Sequence, residues 1–194
     1  MSLILASTSV YRKSLLEKIG LKFDCESPNV EEYSLLNENA EQMCERLAIQ
    51  KARAVAKRHD NGIIIGSDQA ASLGNKILGK PGNQANAVKQ LLQCNGKTVR
   101  FYTGLCIIDA NNGKQKSLVD TFDVVFRELS VAQIEHYVET EKPFDCAGSF
   151  KSEGLGICLF QSLNGRDPNT LIGLPLIALC DLLPEFGIQI LQNH

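Results

Sequence analysis

The sequence predicts a mixed α/β fold: a twisted mixed β-sheet with flanking helices, arranged as two lobes around a central cleft. Three observations predict it. Gly62-Ile63-Ile64-Ile65-Gly66-Ser67-Asp68 is a continuous apolar run ending in an acid, and a strand without polar alternation is buried on both faces, as between helix layers. Val99 to Asp109 and Ser117 to Arg127 read as long antiparallel strands around Asn111-Asn112-Gly113, a turn-forming sequence. Between such stretches the spacing turns helical, most clearly from about Ala40 to Arg58, where Leu47, Ala48, Ala52 and Val55 recur on one side. No linker-like segment interrupts the chain, so residues 1–194 read as a single domain.

The elements follow in order. Leu3-Ile4-Leu5 is a strand that stops at Ala6; Ser7, Thr8 and Ser9 follow, then Arg12 and the helix-forming run Lys13 to Ile19. Leu21 to Glu26 reads as a second strand, and Ser27 to Glu32 as a loop with paired acids. Asn61-Gly62 breaks the long helix. The run from Gly62 places Asp68 at a strand's carboxyl end, where open α/β sheets carry their sites. Asn83 to Cys94 reads as a helix, and Ser130-Val131-Ala132-Gln133 is a capping box opening another. Leu155 to Leu163 reads as a strand ending at Asn164-Gly165. The last helix starts near Pro175, a residue suited to a first turn, and stops at Pro184.

Composition narrows the function. Hydrophobic content of 44% and charged content of 22% fit an ordinary globular chain. A net charge of -2 offers no bulk attraction for nucleic acid or a membrane surface, so any anion site is local. The seven cysteines are odd in number and form no close pairs, which argues against a disulfide scaffold. No C-x-x-C occurs, and His59, His136 and His194 lack metal-ligand spacing, so neither structural zinc nor a histidine triad is expected. There is no P-loop, and no G-x-G-x-x-G follows a strand. Without a signal-like start or an apolar run approaching about eighteen residues, a cytoplasmic, reduced protein is expected.

A few polar residues carry chemistry. Ser7, Ser9 and Arg12 stand where a helix opens, a position that suits either phosphate or simple capping. Glu31 and Glu32 are a metal-binding pair or a solvated loop. Asp68 ends a buried strand, and an acid there is costly unless paired or working. Lys80 is confined between Gly79 and Pro81, and Lys51 lies on the long helix. Acids with several cations point to a metal–phosphate reaction. Carboxylate oxygens suit Mg²⁺ or Mn²⁺, and lysines with an arginine hold a phosphate chain.

Eight segments occur in order along nearly the whole chain: Leu5 to Arg12, Val30-Glu31-Glu32, Lys51-Ala52, Gly66-Ser67-Asp68-Gln69, Gly79-Lys80-Pro81, Tyr102-Thr103-Gly104, Ala147-Gly148-Ser149-Phe150 and Gly173-Leu174-Pro175-Leu176. Together they resemble the Maf family of nucleoside triphosphate pyrophosphatases. The resemblance implies a fold similar to the inosine triphosphate pyrophosphatases. It also implies a hydrolase, dependent on a divalent metal (Mg²⁺, Mn²⁺ or Co²⁺), that cuts between the α and β phosphates to release a nucleoside monophosphate and pyrophosphate. By that resemblance Asp68 activates water, Glu32 and Asp68 hold the metal, Ser7, Arg12, Lys51 and Lys80 hold phosphates, and Thr103 lines the same cleft.

Tyr11, Gln69 and Glu153, with Phe150 to Gly154 and Gly165 to Thr170, resemble the branch that prefers 7-methyl-GTP over thymidine and uridine triphosphates. Physics agrees with that branch: methylation at N7 makes guanine cationic, an aromatic face attracts a cation, and a carboxylate accepts from the guanine N1–H and exocyclic amine together. The rival expectations are a pyrophosphatase for other canonical or modified nucleotides and a nucleotide-binding regulator of septum formation. The partner is a small nucleotide. Strand edges near Phe122 to Phe126 offer a route to a homodimer.

Overall fold

The structure is a computed structural model that describes residues 2–191. Strands β1 (Leu3–Leu5), β2 (Asp24–Cys25), β3 (Ile63–Leu73), β4 (Lys76–Leu78), β5 (Thr98–Asp109), β6 (Gln115–Phe126) and β7 (Phe160–Gly165) form one mixed sheet. Its order is β2-β1-β3-β5-β6-β7, with β4 also paired to β3. The helices are α1 (Val10–Glu17), α2 (Ala40–Ala56), α3 (Gln84–Cys94), α4 (Val131–Glu141), α5 (Pro168–Ile172) and α6 (Leu176–Leu182). The mixed α/β expectation is met. None of the helices among the described residues is long and apolar enough to cross a membrane.

The chain divides into two compact units. The first contains the described residues up to Gln69, Tyr102–Asp120 and those from Asp167 onward; the second contains Ala70–Phe101 and Thr121–Arg166. In the first, β1 pairs parallel with both neighbours, Leu3 facing Ile63 and Ile4 facing Asp24. Side chains alternate across this sheet. Leu3, Leu5, Ile63, Ile65, Leu105 and Ile107 pack with Leu15 and Leu16 of α1 and with Leu176 and Leu179 of α6. Ile4, Ile64, Cys106 and Ile108 pack on the other face against Ala48, Ala52 and Val55 of α2. Both faces are buried, as the apolar run from Gly62 requires, and each fully buried aliphatic chain contributes about 1.5–3 kcal/mol. In the second unit, Phe101, Phe126, Phe150 and Phe160 stack edge-to-face with centroids 4.8–5.6 Å apart.

Local signals set most helix starts. Ser9 caps α1, Asn83 caps α3, and Ser130 with Gln133 closes a reciprocal capping box on α4. Several boundaries differ from the sequence reading. Asp68 does not end its strand: β3 continues to Leu73 because Ala71, Ser72 and Leu73 pair antiparallel with β4, a strand that the sequence reading omitted. The strand expected over Leu21 to Glu26 shrinks to the two residues of β2. Leu155–Leu159 is a 3₁₀ turn rather than strand, and β7 starts at Phe160. Pro175 sits at the cap of α6 instead of inside it, and Pro184 falls in a 3₁₀ turn, Leu183–Phe186. The short helix α5 was not foreseen. The Phe122–Phe126 edge is not open to a second copy, since β7 pairs along it from Phe122–Gly165 to Phe126–Phe160. His194 lies outside the described residues.

Candidate active site

Side-chain alternation along β3 places Gly66 and Asp68 on the face that α2 covers. The helix lies very close there. A Cβ on Gly66 would run into the Ala48 carbonyl oxygen and stand 2.7 Å from the Ala52 nitrogen; one on Gly104 would run into the Cys44 carbonyl. Only glycine permits that approach. It brings Lys51, one turn beyond Ala48, onto Asp68: Nζ donates to Oδ1 at 2.6 Å. The two residues are only 4% and 5% exposed. Lys51 also pairs with Glu32, whose side chain is half exposed, so one ammonium gathers two carboxylates. Breaking such a pair from one side typically costs about 3–5 kcal/mol.

Burial pushes the Asp68 carboxyl above its ordinary range, and the Glu32 charge adds to this; Lys51 and Arg12 pull the other way, and burial wins. A carboxylate with a raised pKa is a stronger proton acceptor than an ordinary one. Burial likewise works against the Arg12 charge, with Asp68 and Glu32 opposing. Arg12 therefore shares the field of the same two acids. The Cys44 thiol beneath is pushed up to about 12, by burial first and then by the Asp68 charge, so it stays protonated and inert.

The opposite face of β3 carries Ser67 and Gln69. Ser67 Oγ donates to the Gly173 carbonyl at 2.9 Å, and Arg12 Nε donates to the same oxygen at 2.8 Å. Gly173 has φ +122°, a conformation that β-branched or bulky residues rarely adopt. Gln69 Nε2 is shared among the carbonyls of Thr170 and Leu171 and the Thr103 hydroxyl, and Thr103 donates in turn to the Thr170 carbonyl at 2.8 Å. Thr103 is wholly buried. Gln69 and Thr103 thus hold α5 against the sheet. At the opening of α1, Ser7 Oγ accepts from the Ser9 N–H at 3.1 Å and Ser9 is the cap, so both hydroxyls act locally on the turn. Tyr11 projects from the first turn of α1, 43% exposed.

The remaining two sequence candidates belong to the second unit. Lys80 is exposed on the segment after β4; the flanking Gly79 carbonyl accepts from Gln90 and the Pro81 carbonyl from Asn86. Glu153 is exposed, its Oε2 accepting from Ser152 Oγ at 2.8 Å. Its loop is pinned to α4, where Tyr137 Oη accepts from the Lys151 N–H and Glu141 Oε1 from the Leu155 N–H.

Glu32 and Asp68 offer only oxygen donors, and no cluster of three or more acids, histidines or cysteines suited to a metal occurs among the described residues. That donor set fits Mg²⁺ or a similar hard ion, which takes one or two protein carboxylates and completes its shell with water and phosphate oxygens. Two groups fall in segments quoted for the family resemblance, but the sequence reading gave them no role. Asp167, fully buried, caps α5 through Oδ1 and accepts the Ile177 N–H through Oδ2 at 2.8 Å. The signal was there in Asp167-Pro168, a cap residue followed by a first-turn proline. Gly173 belongs to a quoted segment, but nothing in the sequence shows that its carbonyl orients Arg12.

Comparison with known proteins matches a family model described as Maf-like protein over residues 2–186. A protein of Pseudoalteromonas atlantica named 7-methyl-GTP pyrophosphatase is 55% identical over 193 residues, covering 100% of this chain and 99% of that one. Proteins of the same name from Colwellia psychrerythraea and Alcanivorax borkumensis are 54% and 50% identical, covering 100% and 97% of this chain and 96% of each relative. Among solved structures, a HAM1 protein from Coxiella burnetii is 14% identical with a TM-score of 0.45, covering 65% of this chain and 73% of the other.

Proposed function

We propose that this chain, which belongs to the Maf family, is a pyrophosphatase that hydrolyses 7-methyl-GTP to the nucleoside monophosphate and pyrophosphate. The observation that carries the reading is the convergence of Asp68, Glu32, Lys51 and Arg12 in one unit, with the buried Asp68 carboxyl raised above its ordinary range.

In this reading Asp68 takes a proton from water as the water oxygen bonds to the α phosphorus. The bond from that phosphorus to the α–β bridging oxygen breaks, and pyrophosphate leaves. Arg12, oriented by the Gly173 carbonyl, meets phosphate oxygens together with Ser7 at the opening of α1. Lys51, paired with both acids, offsets phosphate charge, and the family resemblance gives Lys80 a phosphate-binding role as well. Glu32 and Asp68 are the carboxylates that would hold a divalent ion, which when bound supplies neutralisation of phosphate charge and a more acidic water. Gln69 and Thr103 keep α5 in place and thereby the Gly173 carbonyl. The family resemblance gives Tyr11 and Glu153 the part of setting the preference for a cationic base. Positioning and fixed charge provide most of the rate. The protein works in the cytoplasm, a setting in which its seven free thiols persist.

The test is a panel of 7-methyl-GTP, GTP, dTTP and UTP assayed for pyrophosphate release with Mg²⁺, Mn²⁺ and Co²⁺ in turn. The expected result is the highest kcat/KM on 7-methyl-GTP. Preference for dTTP or UTP would overturn the substrate, and nucleotide binding without pyrophosphate release under any metal would overturn the enzyme.

A further inference from the structure

Glu32 lies in residues 26–39, a stretch without helix or strand. A carboxylate on such a loop acts at a defined point only if the loop is tied down. Arg46, on α2 ahead of Lys51, ties it. Its Nε donates to Glu38 Oε1 and its Nη2 to Glu38 Oε2, each at 2.6 Å. This is the two-pronged geometry that only a guanidinium provides. Nη2 also donates to the Tyr33 carbonyl at 2.9 Å, and Nη1 to Gln50 Oε1 at 3.1 Å. Glu38 Oε2 accepts the Leu35 N–H at 3.0 Å, which closes the loop on itself. The Arg46 and Glu38 side chains are 20% and 8% exposed, so solvent screens this pair far less than an ordinary surface bridge.

The consequence lies in chain order. Glu32 reaches Lys51, and the very next residue, Tyr33, gives its carbonyl to Arg46. One helix therefore holds adjacent loop residues at two points. We propose that Arg46 is a positioning residue for this reaction: together with Glu38 it staples the loop to α2 and so sets where the Glu32 carboxylate stands. The inference rests on the reading of Glu32 as a site carboxylate. Lysine cannot replace Arg46 fully, because one ammonium cannot span both Glu38 oxygens and the Tyr33 carbonyl.

A double-mutant cycle on the full chain tests this, with pyrophosphate release from 7-methyl-GTP as the assay and thermal melting as the check on folding. Glu32→Gln and Arg46→Ala should each lower kcat/KM about tenfold or more. The double variant should be no worse than Glu32→Gln alone, and Arg46→Lys should fall between Arg46→Ala and the natural protein. If Arg46→Ala lowers activity by the same factor whether or not Glu32 is present, Arg46 acts on the fold at large and the proposal fails. If Glu32→Gln is impaired but Arg46→Ala is not, the proposal fails while the reading of Glu32 stands. If Glu32→Gln is fully active, that reading fails and the proposal with it. Should Arg46→Ala not fold, Glu38→Ala takes its place in the same cycle, with the same criteria.

Discussion

Lys51 and Asp68 meet at 2.6 Å, both almost wholly out of solvent. A buried acid and base this close are rarely there for stability alone, since desolvating both charges offsets most of their attraction. Here the ammonium also reaches the half-exposed Glu32. The buried pair is thus continuous with a carboxylate that solvent and ligand can reach.

Asp68→Asn removes the proposed proton acceptor and keeps the shape. Turnover of 7-methyl-GTP should fall at least about a hundredfold, the usual value of general-base catalysis, with the protein still folded. Single-turnover and steady-state rates of pyrophosphate release measure it. Activity close to that of the natural protein would remove Asp68 from this role.

The pH profile follows from the raised Asp68 carboxyl. The proposed mechanism needs the ionised form, so kcat should decline on the acid side at a pH above the ordinary carboxylate range. Stability runs the opposite way. A carboxyl whose folded pKa lies above its unfolded value favours folding while protonated, so that contribution is complete below the unfolded pKa of about 3.8 and is lost as pH rises through the folded one. The difference in melting temperature between the natural protein and Asp68→Asn should therefore shift against the natural protein as pH rises across that window. A pH-independent difference would contradict the assignment.

Gly66→Ala tests the close approach of α2 to β3. The added methyl meets backbone atoms of Ala48 and Ala52, not a flexible side chain, so the helix itself must move. The expected loss of stability is about 1–3 kcal/mol, typical of overpacking, and activity should fall further than stability because Lys51 moves away from Asp68. Chemical denaturation and kcat, measured on the same preparation, decide it.

Tyr11→Arg and Glu153→Gln test recognition of the base. Each should lower the ratio of kcat/KM on 7-methyl-GTP to that on dTTP, with the melting temperature as the check that the variant is folded. A ratio that does not move would sink the roles proposed for these two residues.

Much of this protein is legible from local pattern. The all-apolar run from Ile63 announces a strand covered on both faces, and Ser130 with Gln133 announces a helix start, because burial and capping depend on neighbours in the chain. Asp68 and Lys51 were legible as candidates, one for sitting at the end of an apolar run, the other as a cation on the long helix, and the family resemblance added their roles. The extent of β3 was not legible. Gln69-Ala70-Ala71-Ser72-Leu73 carries no clear strand signal, and it becomes a strand because β4 pairs with it. Leu155 to Leu159 shows the reverse: an apolar stretch that resembles a strand but folds as a 3₁₀ turn, its first N–H donating to Glu141 of α4.

By itself the sequence determined the layered α/β character, the caps and the inventory of acids and cations, all of which are properties of residues and short spacings. Only the tertiary structure decided which of them meet. Two glycines on separate strands, Gly66 and Gly104, let α2 sink onto the sheet. That contact, between residues far apart in the chain, brings Lys51 to Asp68, and side-chain alternation then sends Asp68 to α2 and its neighbours Ser67 and Gln69 to the opposite face.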